Sequence, residues 1–117
     1  MNPVAAMAAY AAPIKAAMAP FNAGNATARD VHNLRTAVAS IVATRLRFER
    51  DVAAALARSD ALAAGLSPNP LPEVLKMVDL HREYAQDLAR MAADLLGLED
   101  ALRAIVDGHE RENEVIR

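Results

Sequence analysis

The sequence predicts an all-α fold: a long antiparallel helical hairpin, coiled-coil-like in its packing, with a shorter N-terminal helix, assembled into an oligomeric helical bundle. Three observations predict it. Alanine fills 28 of 117 positions, Trp is absent, and Phe and Tyr contribute two residues each, so helix-forming material is abundant and sheet-forming material scarce. Apolar residues recur at spacings of three and four over two long stretches, the period that lays a stripe along one side of a helix. Between these stretches stands Ser67-Pro68-Asn69-Pro70, where each proline blocks helix continuation and restricts the residue before it.

Residues 1–27 form the first unit, a helix and a loop. Val4, Met7, Ala11, Ile14, Met18 and Phe21 share one stripe of a helix running from about Pro3 to Phe21. Pro13 lies inside it and lacks an amide hydrogen, which predicts a kink or break near Ala9 to Ala12. Asn22-Ala23-Gly24-Asn25 is a loop by composition, and Thr27 is suited to cap the next helix.

Residues 28–108 form the hairpin, with its turn at 65–71. The second helix runs from about Ala28 to Ala64 with Gly65 at its C-terminal cap. Its stripe is Val31, Leu34, Val38, Ile41, Phe48, Val52, Ala55 and Leu62, interrupted by Arg45 and Ser59. The third helix begins near Leu71-Pro72, with proline in the tolerated first turn and Glu73 favourable beside the positive helix end. Its stripe is unbroken: Val74, Met77, His81, Tyr84, Leu88, Met91, Leu95, Leu98, Leu102 and Ile105 alternate spacings of three and four, a coiled-coil seam and the predicted interface. Gly108 is the expected stop, and residues 109–117 a charged tail.

Charge supports pairing of the two arms. Residues 28–66 carry six Arg against four acids, or +2, and residues 71–106 carry four bases against seven acids, or −3. Each arm should be roughly 50–55 Å long at 1.5 Å per residue. So slender a hairpin does not bury both stripes by itself, which predicts self-association or pairing with another helical protein.

Composition also excludes. With 13 basic and 15 acidic side chains the net charge is −2, which argues against nucleic acid as a partner. There is no cysteine, hence no disulfide, zinc ribbon or thiol chemistry. The apolar stretch from Met1 to Ala19 has Lys15 inside it and no charge before it, unlike a general secretory signal. No apolar run approaches the roughly 18 residues of a membrane span. The expected location is cytoplasmic, or outside the cell by a dedicated export machine.

Site chemistry is sparse. His32, His81 and His109 are far apart, no Glu-x-x-His or His-Glu-x-x-His occurs, and the four glycines are isolated. We therefore expect a non-enzyme with no catalytic residue, no cofactor and no metal. His81 interrupts the apolar seam, where its imidazole is expected to be shared with Asp79, Arg82 or a neighbouring chain, a pH-sensitive interface being the alternative. Arg45, Arg47 and Arg50 are expected on a solvated face that pairs with acids of the third helix.

Two families are resembled. Leu66-Ser-Pro-Asn-Pro-Leu-Pro-Glu-Val-Leu-Lys-Met77, followed by a seam ending Ala101-Leu-Arg-Ala-Ile-Val106, is similar to the C-terminal half of bacterial type III secretion inner-rod and needle subunits. The hairpin here is longer, and the glutamine common early in the rod's last helix is missing. That resemblance implies an exported, non-catalytic subunit that polymerises helically. His32-Asn-Leu-Arg-Thr-Ala-Val-Ala-Ser-Ile41 resembles the phosphoacceptor box of sensor histidine kinases, with Asn33 in place of the acid and Ala37 in place of the proline. It implies a dimeric four-helix bundle in which His32 is the phosphoacceptor. A small helical chaperone or adaptor is a third reading, with no motif of its own.

Overall fold

The structure, a computed structural model, describes the backbone of residues 3–66 and 68–116 and the side chains of residues 10–66 and 68–112. The described residues form three helices and no strand: α1 (Pro3–Asn22), α2 (Ala28–Ala64) and α3 (Pro72–Ile116). α2 and α3 run antiparallel and pack along their lengths, and α1 lies against both. The result is a rod of 72 × 23 × 15 Å.

Local chemistry sets the helix ends. Thr27 stands in extended conformation before α2, and its Oγ1 accepts from the Asp30 amide at 3.3 Å. The Asp30 carboxylate accepts in turn from the Thr27 amide at 2.7 Å and from its hydroxyl at 2.9 Å. This reciprocal capping box satisfies amides that the first turn leaves unpaired. The Thr27 amide, with its hydroxyl second, holds the Asp30 carboxyl below its ordinary range. α2 closes at Gly65, whose amide donates to the Ala61 carbonyl at 3.3 Å with φ −87°, so no left-handed residue is used. Positive φ occurs at Gly24 (75°), in the loop between α1 and α2. Pro72 opens α3 and Glu73 sits in its first turn. Ser67, in the expected turn, lies outside the described residues.

Two expected interruptions are overridden. α1 continues through Pro13 and Pro20. Pro13 is exposed. α3 passes through Gly108 to Ile116, so residues 109–116 of the expected tail extend the helix. A lone glycine costs a helix only about 1 kcal/mol. Contacts beyond it resist that cost: Glu110 pairs with Arg35 on α2, and His109 meets the Phe21 ring edge-on with centroids 5.4 Å apart.

On α2 the buried line is the predicted one: Val31, Leu34, Val38, Ile41, Phe48 and Ala55 are buried, with Val52 and Leu62 half-buried. Both breaks are filled. Ser59 is fully buried and donates its hydroxyl to the Val78 carbonyl at 3.1 Å. Arg45 reaches across to Glu99, which is only 3% exposed.

On α3 the seam is rotated from the predicted one. His81, Leu88, Leu95 and Leu102 lie in it as expected, the three leucines buried and His81 half-buried. The alternate positions belong to Val78, Ala85, Ala92, Glu99 and Val106, one residue beyond the predicted Met77, Tyr84, Met91, Leu98 and Ile105. Met77 and Tyr84 are exposed, at 48% and 43%. Val74, Met91, Leu98 and Ile105 are half-buried. The cause is the partner helix. Leu34, Ile41 and Phe48 already bring bulk to the core they share with Ala92, so this small residue packs there where a larger side chain would overfill it. Glu99 turns inward because Arg45 is there to meet it.

α1 docks through Tyr10, Ile14, Ala17, Met18 and Phe21, of which Ile14 is buried. Of the predicted stripe, Ala11 is exposed, and the side chains of Val4 and Met7 lie outside those described. The Tyr10 hydroxyl lies 2.5 Å from Thr44 Oγ1 and donates to the Ser40 carbonyl at 3.2 Å, pinning α1 to α2.

Candidate interaction surface

α1 divides the hairpin into unequal halves. Met77, Tyr84, Met91, Leu98 and Ile105 follow one another at seven-residue steps and form one strip along α3. At the open end Leu98, Ile105 and Met91 pack onto the core together with the apolar side of α1. Toward the turn the same strip emerges uncovered at Tyr84 and Met77, joined by Leu80 at 61% exposure. By helical spacing, α2 borders this face with Asp51, Ala54, Arg58 and Ala61, all exposed.

The other face of the hairpin carries apolar side chains too. Leu46, Leu56, Leu75 and Leu96 are exposed. Between the arms runs a shallow groove lined by Glu49, Val52, Ala89, Ala92, Ala93 and Leu96. The alanines keep its floor low. Leu71, beside the turn, is 66% exposed.

Ion pairs cross the molecule at the open end and the middle. Arg45 Nε donates to Glu99 at 3.0 Å and its Nη1 to Glu49 at 2.9 Å; Arg103 approaches the other Glu99 oxygen at 3.0 Å. The Glu49 contact, then the Glu99 contact, raises the Arg45 pKa, so this guanidinium is charged at every accessible pH. Arg45 thus pairs with an acid of α3, as expected of the arginine cluster, but within the seam. Arg47 and Arg50 are exposed. Sequence reasoning placed Arg45 as a break in the stripe; the signal that could have found the pair is that Glu99 likewise breaks the Ala92–Val106 line on α3.

The histidines stay apart. His32 is exposed near the start of α2, beside buried Leu34, Val38 and Ile41. Its carbonyl accepts from the Thr36 hydroxyl at 3.0 Å, and the nearby Asp30 carboxylate is committed to Thr27. Among the described residues no three His, Cys, Asp or Glu side chains group closely enough to hold a metal ion. No described helix is long and apolar enough to cross a membrane. Compared with known protein families, curated proteins and solved structures, the chain matches none.

Proposed function

We propose that this chain is a non-catalytic structural or interaction protein that works by assembling with copies of itself, in its most specific form an exported rod- or needle-like subunit of a secretion apparatus. One observation carries the reading. The turn half and the middle of the hairpin leave large apolar side chains uncovered on both faces, Met77, Leu80 and Tyr84 on one and Leu46, Leu56, Leu75 and Leu96 on the other. Isolated exposed leucines are ordinary, but two apolar faces on a slender rod are what repeated subunit contacts use. The Pro-bounded hairpin supports the secretion reading through its resemblance to rod and needle subunits. The test is sedimentation of the full chain over a concentration series, with electron microscopy of the largest species. A dimer or larger assembly at micromolar concentration is expected, and a stable folded monomer would overturn the reading.

A second reading, histidine phosphotransfer through His32, draws on that residue's exposure beside a buried Leu34–Val38–Ile41 line. It ranks lower because the group that should orient the imidazole is missing: Asn33 replaces the carboxylate, and Asp30 is engaged in the cap.

A further inference from the structure

Building on that self-assembly reading, we propose where the first contact forms: a second copy packs on the face carrying Met77, Leu80 and Tyr84, with α2 of each copy over α3 of the other. The two turn halves then make a four-helix bundle around a two-fold axis parallel to the rod, both turns pointing the same way.

Continuity is the first argument. The strip that ends in Tyr84 and Met77 meets a helix at its far end, where Leu98 and Ile105 pack on the same core as α1 and Phe21 of α1 touches His109, one turn beyond Ile105. The same side chains recur at the same seven-residue step beyond the reach of α1, so the geometry that receives one helix repeats where no helix of the described residues covers it.

Charge selects the arrangement. The α2 arm carries +2 over residues 28–66 and the α3 arm −3 over residues 71–106, so stacking unlike arms joins opposite charges while stacking like arms sets the acidic helices together. On the face itself the cation of α2 is Arg58, with Asp51 one turn from Arg47 on the same helix, and the anions of α3 are Glu73 and Asp87. The Ser59 contact with Val78 puts Arg58 about two helical turns nearer the hairpin turn than Asp87. Helical side chains lean toward their own N-termini. In this antiparallel stack Arg58 of one copy and Asp87 of the other therefore lean toward each other, and the two-fold axis makes the pair twice. Asp87 already holds Arg90 of its own helix at 3.2 Å in an exposed pair, which a partner guanidinium can share.

Area is sufficient. α3 from Pro72 to Met91 spans about 30 Å, and two helices side by side are about 20 Å wide, so the face covers about 600 Å² per copy, or ~1,200 Å² for the pair, the lower end of stable complexes.

The test uses the full chain. Arg58→Glu and Asp87→Arg should each weaken association about tenfold or more, and the double variant should recover it, with the helical circular dichroism of all three unchanged. Because the chain has no cysteine, Ala61→Cys and Met77→Cys can be introduced singly, mixed, and joined by a short bismaleimide. The mixture should give an Ala61–Met77 cross-link between copies, and the Ala61 variant alone should not link to itself. If the wild-type chain assembles but neither charge reversal weakens it, or the Ala61 variant links to itself as readily as to the Met77 variant, this pairing is wrong while self-assembly stands. If the wild-type chain is a folded monomer, both fall together.

Discussion

At the open end of the hairpin three helices meet, and at the turn only two. The open end and the middle hold the large buried side chains, Leu34, Ile41, Phe48, Leu95 and Leu102, with Ile14 of α1 closing over them and the Arg45–Glu99 pair set among them. Toward the turn Leu88 is the last large buried side chain, beyond which the buried residues shrink to Ala55, Ser59, Val78 and Ala85 while most leucines face outward. A buried leucine or phenylalanine contributes about 1.5–3 kcal/mol, so stability is concentrated away from the turn. The difference teaches that one strip of α3 can be core at one end and contact surface at the other, according to whether a third helix lies on it.

The largest expected effect tests that division directly. Leu95 is fully buried, so Leu95→Ala should destabilise the chain by about 2–5 kcal/mol in denaturant unfolding. Leu80→Ala, at a 61% exposed position of the turn half, should cost less than about 1 kcal/mol in the unassembled chain. Equal losses would show that the two halves are not distinct in the way their burial implies.

An intermediate effect is expected at the ion pair. Arg45→Ala leaves the buried Glu99 with only the exposed Arg103 and should cost about 1–3 kcal/mol in thermal or denaturant unfolding. Replacing Arg45 and Glu99 together by leucine should restore much of the loss, because no unpaired buried charge then remains. Failure of the double replacement to improve on Arg45→Ala would mean that the pair does more than balance its own desolvation.

The smallest effect lies at the open end, in the cap of α2. Thr27→Ala should cost about 1 kcal/mol. The cap also carries a pH signature. The folded-state pKa of Asp30 is below its ordinary value of 3.8, so its contribution is present above that value and is lost as pH falls through the lowered folded value. Melting profiles of wild type and Asp30→Asn should therefore converge in acid and separate at neutral pH, with the wild type the more stable. A constant gap across that range would exclude the carboxylate as the source.

Much of the fold was legible because it rests on local rules. The start of α2 follows from Thr27 and Asp30 three residues apart, its end from Gly65, and the start of α3 from Pro72, each a choice made within one helical turn. The buried line of α2 was legible because only one set of large apolar residues runs along it. On α3 two lines compete, the larger Met77-to-Ile105 set and the smaller Val78-to-Val106 set, and both share His81, Leu88, Leu95 and Leu102. Size favoured the first; packing against Phe48 and Ile41 favoured the second. The candidate surface was hidden for the same reason, since Tyr84 and Met77 were assigned to the inside.

The sequence by itself determined the helices, the hairpin and the opposite charge of its arms, because propensity, capping and proline act between near neighbours. Tertiary structure decided the rotation of α3, the inward turn of Glu99 toward Arg45, and the persistence of α3 beyond Gly108 and of α1 through Pro13. The local preference is weak at Gly108, about 1 kcal/mol, and evenly divided between two faces on α3, whereas Pro13 costs its helix about 3 kcal/mol, which the docking of Tyr10, Ile14, Ala17 and Phe21 opposes. Contacts between residues far apart in the chain, Arg45 with Glu99, Arg35 with Glu110 and Phe21 with His109, then select the outcome.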